Sequence, residues 1–557
     1  MKTPILSFLA IAAASLICSA QTPGEPAANG LTPTTATYFI NSIGNTNASG
    51  IYTNGPTAQL NNDFKKIESI GIDITANGNV VVGWENDGND LTDFEGVWTL
   101  FDASGNLITP QTEQSSLDPA MALLGTITNK WLSYFRADGT AVWPGTSWGP
   151  KVHANSFGNG FGMGAISYAL SVEIPALAAW DDANLGDTPN VQLLNNNGTP
   201  AAGVLPGVSA AYTAASGDIR VGDWEYLANG NIMIVGESRQ NADLVNIYGG
   251  ASAGNHCVFR ILTPSGVVVK SETLVSEFPT PSNMSKGAGV TSNGFALRFT
   301  TPDGVAVRLF DNNGNPTSTN LILATITGHP EAGFGGDGGG AGFHGNGKDA
   351  YVSVCSYATT NFWLTVLNAD GTVRYSHIVA DDLDLSATQD CDAAINSDGQ
   401  VVVVMSAMYS FENLGQTVLG RRFTAAGVPV KNTFFLGEYD RPAPNPLNAL
   451  AATSPRVAWR GDLVAASWDS SNDPAGDTGL GFPKTITRRL FSTQSPTISM
   501  TQTGSNVTLT WPIVGSAYTL ESAPSLTGAV WTPVPGVVNN SVTLSSASGN
   551  KYFRLRL

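Results

Sequence analysis

Charged residues make up only 13% of this 557-residue chain, and there are just 4 cysteines and 5 histidines. No two cysteines stand at zinc-ligand spacing. His153, His256, His329, His344 and His377 include no H-E-x-x-H pair, so the sequence gives no support to a zinc hydrolase. Lys and Arg number 27 against 44 Asp and Glu, a formal charge of −17, which excludes nucleic acid as a partner because its phosphates must be met by cations. Beyond the first 20 residues no apolar run reaches the roughly eighteen residues of a membrane span, so the chain is not expected to cross a bilayer. Long stretches of helical periodicity are also missing. The 61 glycines, with abundant Asn, Thr and Ser, favour strands joined by tight turns.

The leader MKTPILSFLAIAAASLICSA has one Lys, an apolar run and a small-residue ending, the layout of a cleavable export signal over residues 1–20. Leu16 and Ile17 precede Cys18 where a lipid-anchor signal needs small residues. The expected setting is secreted or cell-surface, with the mature chain starting near Gln21. Cys257, Cys355 and Cys391 then remain, so at most one internal bridge can form. Three buried thiols are the equal alternative.

One pattern recurs seven times with variable spacing: LFDASGN, YFRADGT, LLNNNGT, ILTPSGV, LFDNNGN, VLNADGT and RFTAAGV, from Leu100 to Val428. Each places a Gly after turn-forming residues, as a hairpin needing positive φ requires. A near-continuous apolar run precedes most of them: NGNVVVGW, IPALAAW, NGNIMIVG, NGFALRF, KDAYVSVC, DGQVVVVM and GDLVAASW. Such runs mark strands covered on both faces, and they are assigned here to the inner position of each unit. The chain is therefore expected to be all-β, a seven-bladed β-propeller with six or eight blades as alternatives. Blades are placed near 60–112, 118–205, 216–276, 284–327, 335–381, 386–437 and 448–492, within a propeller spanning 59–492. Residues 21–58 form a lead-in, in which ATYFINSIG (Ala36 to Gly44) could complete the last blade and close the ring.

After Ser495 the style changes to short alternating strands, TISMTQ, NVTLTW, AYTLES, VWTPV, NSVTLS and NKYFRLRL, expected to form a small C-terminal β-sandwich over 493–557. Trp511 and Trp531 are its expected core aromatics, and KYFRLRL should turn Phe553, Leu555 and Leu557 to one face and Tyr552, Arg554 and Arg556 to the other. NVTLTWP, YTLESAPSLTGAVWTPVPG and VNNSVTLSSASGNKYFRLRL resemble the fibronectin-III-like terminal modules of large exported bacterial proteins. The repeat units, such as NGNVVVGWENDGND, are similar to the propeller repeats of secreted bacterial proteins. These resemblances imply export, a surface setting, and binding as the default role, and they bring no catalytic residue.

Acidic loops follow several apolar runs. Asp87, Asn89, Asp90, Asp93 and Glu95 offer hard oxygens in a Gly-containing loop, which makes calcium the candidate cofactor, although no loop matches the twelve-residue calcium pattern. The competing reading is that such residues cap turns and solubilise the chain. The Trp residues before these loops are assigned to packing between blades. Trp143 and Trp148, among Gly and Pro in AVWPGTSWGPK, are the candidates for stacking on a ligand. GTSWG lacks the following helix that a nucleophile elbow needs, and the glycine-rich GFGGDGGGAGFHGNGKD lacks a phosphate-loop ending. Asp381, Asp382, Asp384, Asp390 and Asp392 form the densest acidic cluster, and a glycosidase pair is defined only by separation in space.

The leading expectation is an exported, non-enzymatic protein that binds a glycan or an extracellular protein through loops on the propeller rim. The alternative is a polysaccharide-active hydrolase or lyase with carboxylates at the propeller channel. A third reading is a structural component of the cell envelope.

Overall fold

The structure, a computed structural model, describes residues 23–35, 37–41, 54–58, 66–87, 94–113, 151–167, 188–197, 201, 205–206, 219–238, 256–275, 287–301, 304–325, 342–357, 361–409, 417–437, 451–471, 484–494, 497–511, 519–538, 540–546 and 551–556. Those residues are almost wholly strand. They form six four-stranded antiparallel sheets in chain order, spanning 66–113, 151–206, 219–274, 287–325, 343–378 and 385–435, and a larger sheet built on 451–492. Among the described residues these sheets, numbered 1 to 7 in chain order, are blades of a β-propeller. Among the described residues no helix is long and apolar enough to cross a membrane.

The first strand of each blade lines the axis. Lys66–Ile74, Lys151–Ala154, Ile219–Tyr226, Gly287–Thr291, Phe343–Gly345, Leu385–Ile395 and Ala451–Arg460 touch in that order, and the last returns to the first. This corrects the expectation that the apolar runs are the innermost strands. They are second strands: Val80–Asp87, Ile232–Ser238, Gly294–Thr301, Ala350–Tyr357, Val401–Tyr409 and Leu463–Ser471 each lie between a first and a third strand. The physical reason is that a second strand is sandwiched between neighbouring blades on both faces, whereas a first strand turns one edge to a polar channel. The run IPALAAW lies outside the described residues; the second strand of blade 2 is Phe161–Ser167.

The core is accordingly divided into wedges between blades. Trp98 and Val81 of blade 1 pack on Val152 and Phe161 of blade 2; Phe259 of blade 3 packs on Phe295 and Phe310 of blade 4. Trp468 joins blade 7 to Val402, Val404 and Val418 of blade 6, and Trp84 joins blade 1 to Ala465 and Leu490 of blade 7. Thus Trp84 and Trp468, which precede acidic loops, are fully buried between blades, while Trp180 lies outside the described residues. Arginines fasten the same seams: Arg298 donates to the carbonyls of Gly342 (3.0 Å) and Val354 (2.8 Å), and Arg489 donates to that of Leu436 (2.8 Å).

The N-terminal chain completes the last blade. Tyr38–Asn41 runs antiparallel to Lys484–Ser492, with Tyr38 opposite Arg488, and Thr32–Pro33 pairs with the same strand. Upstream, Gly24 donates its amide to Thr433 O at 2.7 Å and accepts from Phe435 N at 3.1 Å, so the strap also holds blade 6.

Cys257, Cys355 and Cys391 are buried thiols, none of them joined in a disulfide. Burial, reinforced by the charge of Asp390, pushes the Cys391 thiol far above its ordinary range.

The C-terminal residues form two three-stranded sheets around one cluster of Leu509, Trp511, Leu520, Val534 and Val542. Phe553 and Leu555 pack against that cluster, while Tyr552, Arg554 and Arg556 are exposed. Trp531 is not a member of the core, contrary to expectation: it lies half-buried under the Arg554 guanidinium, 4.4 Å from its ring centre. Arg554 is held there by Glu521, which accepts from its Nε at 2.8 Å.

Candidate functional site at the propeller channel

The first strands carry polar residues onto the axis because most of them are bulged. Register shifts fall at Ser69/Gly71, Val221/Asp223, Thr388/Cys391 and Thr453/Arg456, just before or at Asp73, Asp223, Asp390, Asp392 and Arg456. An extra residue in one strand re-aims the side chains after it. At the last of these shifts Ser454 takes φ 48, a backbone conformation rare outside glycine.

These strands enclose a cavity of about 310 Å³ lined by Asp73, His153, Asp223, Glu225, His344 and Asp392, with Arg456, Trp459 and Arg460 on its wall. Each aspartate binds its neighbours' backbone. Asp73 accepts the amides of Ile74 (2.7 Å) and Ala154 (2.6 Å). Asp223 accepts from Trp224 N at 3.0 Å and from Ala288 N, in the next blade, at 3.0 Å. Asp392 accepts from Gly342 N at 2.8 Å and Val457 N at 3.0 Å, joining blades 5 and 7 through blade 6.

Two imidazoles complete the cluster. His153 Nε2 lies 2.7 Å from Asp223 Oδ1 and its Nδ1 lies 3.5 Å from Glu225 Oε1. His344 Nε2 lies 2.9 Å from Asp392 Oδ1, and the two rings stand 6.4 Å apart. Burial alone would strip the proton from His153, but the Glu225 and Asp223 carboxylates raise it to about 9. For Glu225 burial, with the repulsion of Asp223 and Asp73, outweighs His153 and lifts the carboxyl to about 8. Burial would raise Asp392 as well, yet His344, Arg456 and the Val457 amide bring it down to about 2. Burial thus shifts the Glu225 carboxyl up, while its neighbours shift that of Asp392 down. This division is what acid–base chemistry requires.

The sequence-derived sites fare differently. Trp143, Trp148, Asn89, Asp90 and Asp93 lie outside the described residues. Asp87 and Glu95 end and open strands whose side chains there are likewise not described. Among the described residues no group of His, Cys, Asp and Glu is arranged to hold a metal ion. The acidic run 381–392 is dispersed. Asp381 and Asp382 pair with Arg421, Asp390 pairs with Arg456 at 2.9 Å, and only Asp392 reaches the cavity. Asp73, His153, Asp223, Glu225 and His344 were not singled out as a site from sequence. One signal was present: Asp223 and Asp392 each stand seven residues before a turn glycine, Gly230 and Gly399.

No protein-family model matches the chain, and no curated protein matches it. Solved structures similar to it include a protein of unknown function from Dyadobacter fermentans, at TM-score 0.38 and 11% identity over 83% of this chain and 99% of the other. The α-L-arabinofuranosidase of Fusarium graminearum is similar at TM-score 0.36 and 11% identity over 83% and 98%. An α-L-arabinanase of Penicillium chrysogenum is similar at TM-score 0.36 and 13% identity over 72% and 99%. Likeness at this level does not transfer an activity.

The expectation of a non-enzymatic protein binding through rim loops is nevertheless corrected. Asp73, His153, Asp223, Glu225, His344 and Asp392 converge at the channel, where the alternative reading places its carboxylates.

Proposed function

We propose that the chain is a glycoside hydrolase that acts on a neutral polysaccharide at the channel cavity, with Glu225 as the general acid. The observation that supports this is the placement of Glu225 and Asp392 on different blades around one cavity, with their carboxyls shifted in opposite directions. Protonation of the glycosidic oxygen makes the sugar a leaving group, and a carboxyl that keeps its proton to about 8 is suited to supply it. Hydrolysis is favoured over elimination by charge. A lyase needs the acidified C–H of a uronate polymer, and a chain of formal charge −17 repels such a polyanion. In the same reading residues 1–20 export the chain to polysaccharide outside the cell, and 493–557 form a fibronectin-III-like terminal module.

The test is incubation of the purified protein with neutral polysaccharides, arabinan, xylan, mannan and glucans among them, with reducing ends as the readout. Turnover is expected on at least one, falling on the order of 100-fold or more in Glu225→Gln with an unchanged melting curve. Activity should also decline as pH rises through about 8, where Glu225 loses its proton. No product from any polymer rejects the proposal, and an unsaturated product would replace hydrolysis by elimination.

A further inference from the structure

Acid-catalysed cleavage needs a proton acceptor as well as a donor. The three aspartates of the cavity are poor choices because their oxygens are committed. Asp73 holds two amides with Oδ1 and Oδ2. Asp223 holds Trp224 N and His153 with Oδ1 and Ala288 N with Oδ2. Asp392 holds Gly342 N and His344 with Oδ1 and Val457 N with Oδ2. His153 is buried with one nitrogen on Asp223 and the other toward Glu225.

His344 differs in each respect. It lines the same cavity, its side chain is 27% exposed against 7% for His153, and it binds Asp392 through Nε2 alone. A carboxylate that accepts from Nε2–H fixes the neutral tautomer in which Nδ1 carries a lone pair. We propose that His344 is the proton acceptor of the reaction, with Asp392 as its positioning residue; this rests on the hydrolase reading given above.

In the step, a water oxygen bonds to the anomeric carbon and gives a proton to His344 Nδ1. The bond from that carbon to the glycosidic oxygen breaks, and the oxygen takes the Glu225 proton. A hemiacetal and an alcohol leave, and transfer of the proton from the imidazolium to the Glu225 carboxylate through solvent restores the starting state. The groups that face His344 are Asp392 from blade 6 and His153 from blade 2, with Arg456 beyond Asp392.

The competing account is that the His344–Asp392 contact is one more fastening between blades 5 and 6. Kinetics on His344→Gln and His344→Gly separate the two. The proposal predicts a fall in kcat of roughly 100-fold or more in His344→Gln with KM changed only slightly, and retention of the alkaline limb of the pH–rate profile set by Glu225. Imidazole added to His344→Gly should restore part of the rate, which no purely structural role would allow. If the wild type cleaves polysaccharide while His344→Gln keeps its kcat, His344 is not the acceptor and the hydrolase reading stands. If the wild type cleaves nothing, both fall together. Should the variants melt early, the wild-type tautomer read by nitrogen NMR decides: a proton on Nε2 supports the assignment and one on Nδ1 overturns it.

Discussion

His153 sits between Asp223 at 2.7 Å and Glu225 at 3.5 Å, with all three buried, so its charge belongs to the fold as much as to any reaction. Folded, it keeps its proton to about 9 where a free imidazole loses it near 6.5, and Glu225 keeps its proton to about 8 against 4.5. Burial likewise raises Asp73. Over that span the folded chain binds more protons than the unfolded one, so these groups stabilise it fully at low pH and the stabilisation is lost as pH climbs toward 9. Asp392 works in the opposite direction: held at about 2 against 3.8, it stabilises above 3.8 and ceases to do so as pH falls toward 2. Melting temperature measured across pH should therefore peak between about 4 and 5 and decline steadily toward 9. A flat profile over that range would contradict the assigned proton states.

Hairpins are the elements that set the blades, and two glycines show what they demand. Gly230 closes the turn between first and second strands of blade 3 with φ 83, and an added Cβ there would meet nothing within 4 Å. Gly427, in RFTAAGV, has φ 79, and a Cβ would fall 2.5 Å from the Tyr375 ring of the neighbouring blade. Gly230→Ala thus bears only the backbone cost of a left-handed residue, about 1 kcal/mol, whereas Gly427→Ala adds a clash across a blade seam and should cost about 2 to 4 kcal/mol. Denaturant unfolding of the two variants measures the difference, and equal losses would show that the seam at Tyr375 yields freely. Strand patterning was legible for a related reason. Val401 to Met405 is buried on both faces and reads as an unbroken apolar run, while a bulged strand such as Ile219–Tyr226 mixes Asp223 and Glu225 with Trp224 and reads as a loop.

For the whole ring, closure depends on chain ends far apart in sequence. Without Tyr38–Asn41 and Thr32–Pro33, Lys484–Ser492 would become an exposed edge of the last blade. Leu31, buried against Trp459 and Phe491, would leave the seam between blades 6 and 7. Removing residues 21–45 should lower the melting temperature, by about 3 °C for each loss of about 3 kcal/mol in a body of this size. An unchanged melting point would show that the ring closes without this strap.

Sequence alone determined the all-β character, the recurrence of hairpins and the alternation that turns Phe553 and Leu555 inward. Each of these is written locally, in turn glycines and in the period of apolar residues. The channel cluster was decided only by tertiary structure. Asp73, His153, Asp223, Glu225, His344 and Asp392 come from five blades, and bulges that no spacing announces aim several of them at one axis. Their proton states follow from mutual distance and burial, quantities that exist only once the ring has closed.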